Sequence, residues 1–147
     1  LYRERVGLAA IITQDTATRK IAQGQIQSIA RAIYSMPPSY GGALVDLILS
    51  DEALNNEWVS EVNDMRDRMK TLRELLVKNL HDNGSPKDFS FVNNQKGMFS
   101  FLCITPEQVR EVREKHSVYF VDSSRVNIAG INKNNVETLA KALVSVL

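Results

Sequence analysis

From Val6 to Thr13 the chain is apolar almost without a break, with Gly7-Leu8-Ala9-Ala10-Ile11-Ile12 at its centre. Such a run lacks the alternation of a half-buried strand and predicts a strand covered on both faces. A strand needs neighbours to pair with, inside the chain or outside it, so the chain reads as a piece of something larger. Beyond it the period lengthens. Asp15 or Thr16 can cap a helix that carries Ile21, Ile26, Ile29 and Ile33 as far as Tyr34, with Gly24 as its weak point. Met36-Pro37-Pro38 breaks it, and the prolines suit the start of a second helix with Leu44, Val45, Ile48 and Leu49 on its apolar face. Ser50 or Asp51 then begins the most distinctive element. No Pro or Gly occurs from there to Asn83, while Trp58, Val62, Met65, Met69, Leu72, Leu76 and Leu80 recur at spacings of three and four. This predicts one long amphipathic helix packed within the molecule and stopped by Asn83-Gly84 and Pro86.

The second half alternates more. Phe89, Phe91 and the run Met98–Ile104 predict two strands about the turn-rich Asn93-Asn94-Gln95-Lys96-Gly97. Thr105-Pro106-Glu107 predicts a helix start, by capping residue and proline, for a helix ending near His116. Val118–Val121 and Val126–Ala129 read as short strands, and residues from Asn135 to Leu147 as a closing helix with Val136, Leu139, Leu143 and Val146 inward. A shift in composition near residue 50 predicts two structural units, the second an α+β layer.

Composition narrows the functional classes. In 147 residues, 44% hydrophobic and 24% charged, 18 Lys and Arg against 17 Asp and Glu leave a net charge of +1. That balance gives no support to a nucleic-acid or polybasic membrane binder. One cysteine, Cys103, excludes an internal disulfide framework, and with two separated His it argues against a structural zinc site. No run approaches a membrane span, and no signal-peptide pattern opens the sequence.

No constellation of nucleophile and base is complete. His81 and His116 fall at helix ends and read as capping or solvated residues, and Cys103 as a small core residue. Three arginines stand out by their neighbours. Arg125 lies at the mouth of the strand Val126–Ala129, Arg31 one turn before Tyr34-Ser35-Met36-Pro37-Pro38, and Arg5 directly before the first apolar run. A guanidinium is a planar fork of donors suited to a carboxylate or phosphate, although for any one arginine alone a surface or salt-bridge role is the commoner one.

Together these stretches resemble the C-terminal part of the class I pyridoxal-phosphate aminotransferases, the aspartate aminotransferases in particular. The matching segments are Leu1-Tyr2-Arg3-Glu4-Arg5-Val6-Gly7, Tyr34-Ser35-Met36-Pro37-Pro38, Gly97-Met98-Phe99-Ser100-Phe101 and Ser124-Arg125-Val126-Asn127-Ile128-Ala129-Gly130. Four motifs in the family's order, spread over the whole chain, are a far more specific signal than one.

The resemblance implies an α/β protein of the PLP-dependent transferase fold type I. Residues 1–50 would form the C-terminal end of the large cofactor-binding domain, and 51–147 the long linking helix and the α+β small domain. Arg5 falls on the arginine for the phosphate of pyridoxal 5'-phosphate, and Arg125 on the one that grips the substrate α-carboxylate. Arg31 falls on the arginine that reaches across the homodimer interface to the distal carboxylate of aspartate or glutamate. Phe99 falls on an aromatic residue beside the site, and Ser35 on a neighbouring interface position.

The resemblance also implies that the Schiff-base lysine lies just upstream of Leu1, so that no catalytic residue belongs to this chain. Lys20 and Lys96 do not match its motif. The expected function is that of part of an aspartate aminotransferase, exchanging amino groups between aspartate or glutamate and 2-oxo acids. The chain alone would be inactive, and its partner would be the N-terminal portion of the same protein. No metal, nucleic acid or membrane is implied, and the expected location is cytoplasmic, with the mitochondrion also open. The alternatives are a broader aromatic and dicarboxylate aminotransferase, and a non-catalytic helical binding module. Met36 in place of the usual Asn, Ser124 in place of Gly and Arg3 in place of Asn depart from the family pattern and bear on substrate preference.

Overall fold

A computed structural model of the chain describes residues 2–147; Leu1, the first residue of the Leu1–Gly7 motif, lies outside them. The chain divides into two compact units between Val59 and Ser60. In order it forms a single 3-10 turn at Tyr2–Glu4 and helices α1 (Thr16–Ile33), α2 (Tyr40–Ser50) and α3 (Glu52–Asp82). A second 3-10 turn at Ser90–Asn94 leads to strand β1 (Phe99–Phe101), helix α4 (Pro106–His116) and strand β2 (Arg125–Asn127). A third turn, Ile128–Gly130, and helix α5 (Val136–Val144) complete it.

In the first unit, α1 starts where its sequence says it should. The Asp15 carboxylate accepts from the Thr18 backbone N–H at 2.7 Å and from the Thr18 hydroxyl at 2.9 Å, capping the helix. One expectation is not met among the described residues, and a second is corrected. The run Val6–Thr13 is in no strand ladder, and its side chains stand in the open, Leu8 at 95% and Ile12 at 98% exposure. Apolar composition favours an extended backbone, but a strand exists only when a neighbour takes its N–H and C=O groups, and no described residue does so here. The prolines are also displaced: Pro37 and Pro38 lie in the connection, and α2 opens behind Ser39. Ile21, Ile26, Ile29 and Ile33 on α1 are exposed, and among the described residues of this unit only Gly41 is buried.

The core belongs to the second unit. Leu72, Leu76 and Leu80 of α3 pack with Val92, Leu102, Val109, Val112, Ile128, Ala140 and Leu143. Removing a side chain such as Leu76, which is fully buried, costs about 2–5 kcal/mol in comparable cores. Trp58, Val62 and Met65, expected on the packed face of α3, are exposed. Helix α3 ends as its sequence requires. Gly84 takes the left-handed φ of 76°, so that the Ser85 N–H reaches the Leu80 carbonyl at 3.1 Å and the Gly84 N–H the His81 carbonyl at 2.9 Å. Helix α4 opens on a capping box between Thr105 and Gln108.

The strands are fewer and shorter than the pattern suggests. Phe89 and Phe91 belong to a loop and the 3-10 turn, and only residues 99–101 of the Met98–Ile104 run are paired. Residues 118–121 form no ladder. Instead the Arg113 guanidinium of α4 donates to the Phe120 carbonyl at 3.1 Å and to Asp122 at 2.8 Å, holding the stretch by a side chain. Cys103 is exposed rather than in the core: Ser100, Leu102 and Ile104 take the inward positions of this run, and Phe101 and Cys103 the outward ones.

Candidate functional site

Strands β1 and β2 are antiparallel, with Phe99 opposite Asn127, Ser100 opposite Val126 and Phe101 opposite Arg125. Side chains alternate between the two faces of a strand, so Ser100 and Val126 are buried while Phe99, Phe101, Arg125 and Asn127 share the outer face. Phe99 and Arg125 are diagonal neighbours there, and the guanidinium carbon of Arg125 stands 4.7 Å from the centre of the Phe99 ring. That is a cation–π contact, which restrains both groups while leaving the arginine exposed and charged.

The backbone around this pair is held from several sides. The Gln95 side-chain amide brackets Phe101, donating to its carbonyl at 3.0 Å and accepting from its N–H at 2.9 Å. Ser124, directly before Arg125, is 2% exposed and left-handed with φ 61°. Its carbonyl accepts from the Leu102 N–H at 3.0 Å and its hydroxyl from the Cys103 N–H at 3.1 Å. The left-handed turn accounts for glycine being the residue expected there: a side chain is disfavoured, and here the serine hydroxyl offsets that cost with a bond.

Behind the strands lies a residue that the sequence reading passed over. Arg73 of α3 is buried and donates from Nε to the Ser100 hydroxyl at 3.1 Å. Its Nη2 donates to the carbonyls of Gly97 at 2.6 Å and Phe99 at 3.4 Å. Burial pulls its pKa down from the ordinary arginine value. A signal was available: Arg73 interrupts the stripe formed by Met69, Leu72, Leu76 and Leu80, where a charge has no reason to sit unless it is used. A second arginine of α3, Arg68, donates to the Ala129 carbonyl just beyond β2 at 3.2 Å.

The other sequence-selected residues lie in the first unit. Arg5 follows the Tyr2–Glu4 turn with a left-handed φ of 53° and an exposed side chain. Its flanking residues press on α2: a Cβ on Gly41 would stand 3.1 Å from the Cβ of Val6 and 3.2 Å from that of Glu4. Arg31 is exposed in the last turn of α1, where a cation faces the negative end of the helix. Ser35, with φ 63°, turns the chain out of that helix and donates its N–H to the Ala30 carbonyl at 3.1 Å. The structure thus brings Phe99 and Arg125 together, while Arg5, Arg31 and Ser35 belong to the other unit. A cavity of about 640 Å³ lined by Glu74, Lys78, His81, Lys87 and Phe89 contains none of them. His81 is solvated, and His116 is exposed with Nε2 2.7 Å from the Ser145 hydroxyl.

Comparison with known proteins gives this geometry a context. The chain is 44% identical, over all 147 residues, to the aspartate aminotransferase of Escherichia coli, of which it spans 37%. It is 40% identical over 146 residues to the aromatic-amino-acid aminotransferase of Paracoccus denitrificans, covering 99% of this chain and 37% of that protein. Among solved structures, the aromatic-amino-acid aminotransferase of Burkholderia pseudomallei, covalently bound to pyridoxal phosphate, superposes with a TM-score of 0.85 at 39% identity. That match covers 100% of this chain and 37% of the other. It makes the fold that of the PLP-dependent aminotransferases of fold type I, with the present chain a portion of it. With residues 1–143 matched by the family model for aminotransferases of class I and II, the chain belongs to that family.

Proposed function

We propose that the chain is the C-terminal portion of an aspartate aminotransferase, with residues 1–50 in its large domain and 51–147 in its small one. The observation that carries this reading is the Arg125–Phe99 pair: an exposed guanidinium steadied at 4.7 Å by a ring, on the outer face of a strand. Its planar donors suit a carboxylate, which would be gripped in bidentate fashion. Arg31 would bind the distal carboxylate of aspartate or glutamate across a homodimer interface, with Ser35 beside it. A second carboxylate calls for a second cation, and that is what favours dicarboxylic substrates.

The residues present fit one end of pyridoxal 5'-phosphate. Arg5 offers a permanently charged planar fork between Glu4 and Val6, which lie close against Gly41, and it is suited to a phosphate dianion. When bound, the cofactor supplies the electron sink for chemistry at the substrate Cα. The protein's part is to orient: Arg125 and Arg31 would fix the substrate by its two ends, and Phe99 would help keep water from the carboxylate. No residue of this chain is proposed as nucleophile or general base, roles assigned to a lysine elsewhere in the longer protein.

A broader enzyme that also accepts aromatic amino acids is the second reading, favoured by the 40% identity to the Paracoccus denitrificans protein. A cytoplasmic site of action accompanies either. The test is transamination by the intact protein, with aspartate and phenylalanine in competition. Turnover of aspartate at a much higher kcat/KM supports the first reading, comparable values support the second, and turnover of neither sinks both. The intact mass should be close to three times that of this chain.

A further inference from the structure

Arg73 is the one charged residue among the described ones that is buried, at 3% exposure. None of the ion pairs among the described residues includes it. Taking a guanidinium out of water without a counter-charge is costly, and methionine or leucine would fill the same apolar stripe without that cost. What the charge obtains instead is three acceptors within four consecutive residues. They are the Gly97 carbonyl at 2.6 Å, the Phe99 carbonyl at 3.4 Å and the Ser100 hydroxyl at 3.1 Å. A planar fork can serve all three from one fixed position; a lysine ammonium on a flexible stem holds them less rigidly.

That stretch carries Phe99, whose ring lies against Arg125. Ser100 faces inward to Arg73 while Phe99 faces outward to Arg125, so the two arginines grip one strand from opposite faces. We propose that Arg73 is a positioning residue for carboxylate binding: it fixes the backbone of β1 and thereby the ring that restrains the Arg125 guanidinium. The proposal rests on the reading of Arg125 as the carboxylate-binding group. Without Arg73 the ring loses its fixed seat and the fork of Arg125 samples more directions. Substrate capture weakens, while the chemistry after capture is left as it was.

The test is steady-state kinetics with aspartate on the intact aminotransferase and its variants Arg73→Met, Ser100→Ala, Arg125→Leu and the double variant of Arg73 and Arg125, each with its thermal midpoint. Arg73→Met should raise KM about tenfold and leave kcat within about twofold, the signature of lost positioning rather than lost chemistry. It should add nothing further to KM in the Arg125→Leu background, because it acts through that residue. Ser100→Ala, which keeps the charge and removes one acceptor, should shift KM the same way by less. A lowered thermal midpoint with unchanged KM overturns the proposal, and so does a KM effect that multiplies with that of Arg125→Leu. If Arg73→Met does not fold, the same split read on Ser100→Ala decides. Arg125→Leu separates the two levels: if it leaves KM unchanged, the Arg125 reading falls and this proposal with it. If it raises KM while Arg73→Met is silent, only the proposal falls.

Discussion

The guanidinium carbon of Arg125 stands 4.7 Å from the centre of the Phe99 ring, across a strand pair in which the two residues are diagonal neighbours. The contact holds the cation without neutralising it, which a carboxylate partner would do. Arg125→Lys keeps the charge but loses the planar fork, and kcat/KM for aspartate should fall about 10- to 100-fold, as expected for lost charge-assisted hydrogen bonds. Phe99→Leu should produce a smaller rise in KM with little change in kcat. Equal activity in Arg125→Lys and the parent would remove Arg125 from the carboxylate site.

Arg31 tests the substrate class. Arg31→Leu should lower kcat/KM for aspartate by about two orders of magnitude and leave phenylalanine within a few-fold, because only the dicarboxylate has a second charge to lose. Equal losses for both substrates would mean that Arg31 serves the helix end rather than the ligand.

Gly41 bears on the cofactor end. A methyl group there would stand 3.1 Å from the Val6 Cβ and 3.2 Å from the Glu4 Cβ, both fixed by backbone, so the segment holding Arg5 must shift. Gly41→Ala in the intact protein should therefore weaken retention of pyridoxal phosphate, read as faster loss of its absorbance on dialysis. Unchanged retention would detach Arg5 from the phosphate.

Ser124 carries a left-handed backbone and repays it through its hydroxyl. Ser124→Ala keeps the strain and strands the Cys103 N–H, a loss of about 1–2 kcal/mol. Ser124→Gly relieves the strain and loses the bond, so its thermal midpoint should lie close to that of the parent and above that of the alanine variant. An alanine variant above the glycine one would show that the strain does not matter, and an alanine variant level with the parent that the hydroxyl bond does not.

The cap of α1 predicts a dependence on acid. The Thr18 N–H, and after it the Thr18 hydroxyl, hold the Asp15 carboxyl below its ordinary value of 3.8. A folded value below the unfolded one means that the cap's contribution is complete above the ordinary value and is lost as pH falls through the folded one. Protection of the Thr18 amide, its exchange rate set against the intrinsic rate at the same pH, should fall below about pH 4 in the parent protein. In Asp15→Asn, which retains an acceptor but no titrating group, protection should show no such step.

Helices were legible in the sequence because their information is local. Asp15 and Thr105 cap what they were expected to cap, and Gly84 ends α3 where the chain's longest proline-free, glycine-free stretch stops. Strands were not, because pairing depends on a partner that no window contains. Val6–Thr13 and Val118–Val121 have strand-like composition and no ladder, while Phe89 and Phe91 fall in a loop and turn. At the site, motif resemblance singled out Phe99 and Arg125, and the strand register explains their contact. Arg73 was missed because a helix of many charges hides one more; its place in the apolar stripe was the signal, and its burial shows that it faces inward.

The apolar run from Gly7 to Ile12 carries a demand that the described residues do not meet. From Gly7 to Ile12 its backbone is in no ladder, and Leu8 and Ile12 are bare. Apolar residues with unpaired backbone groups offer a place for another strand to build. What this stretch asks for is a neighbour: in the longer protein of which we propose the chain to be a part, a strand from outside these residues would take its unpaired backbone groups and cover Leu8 and Ile12.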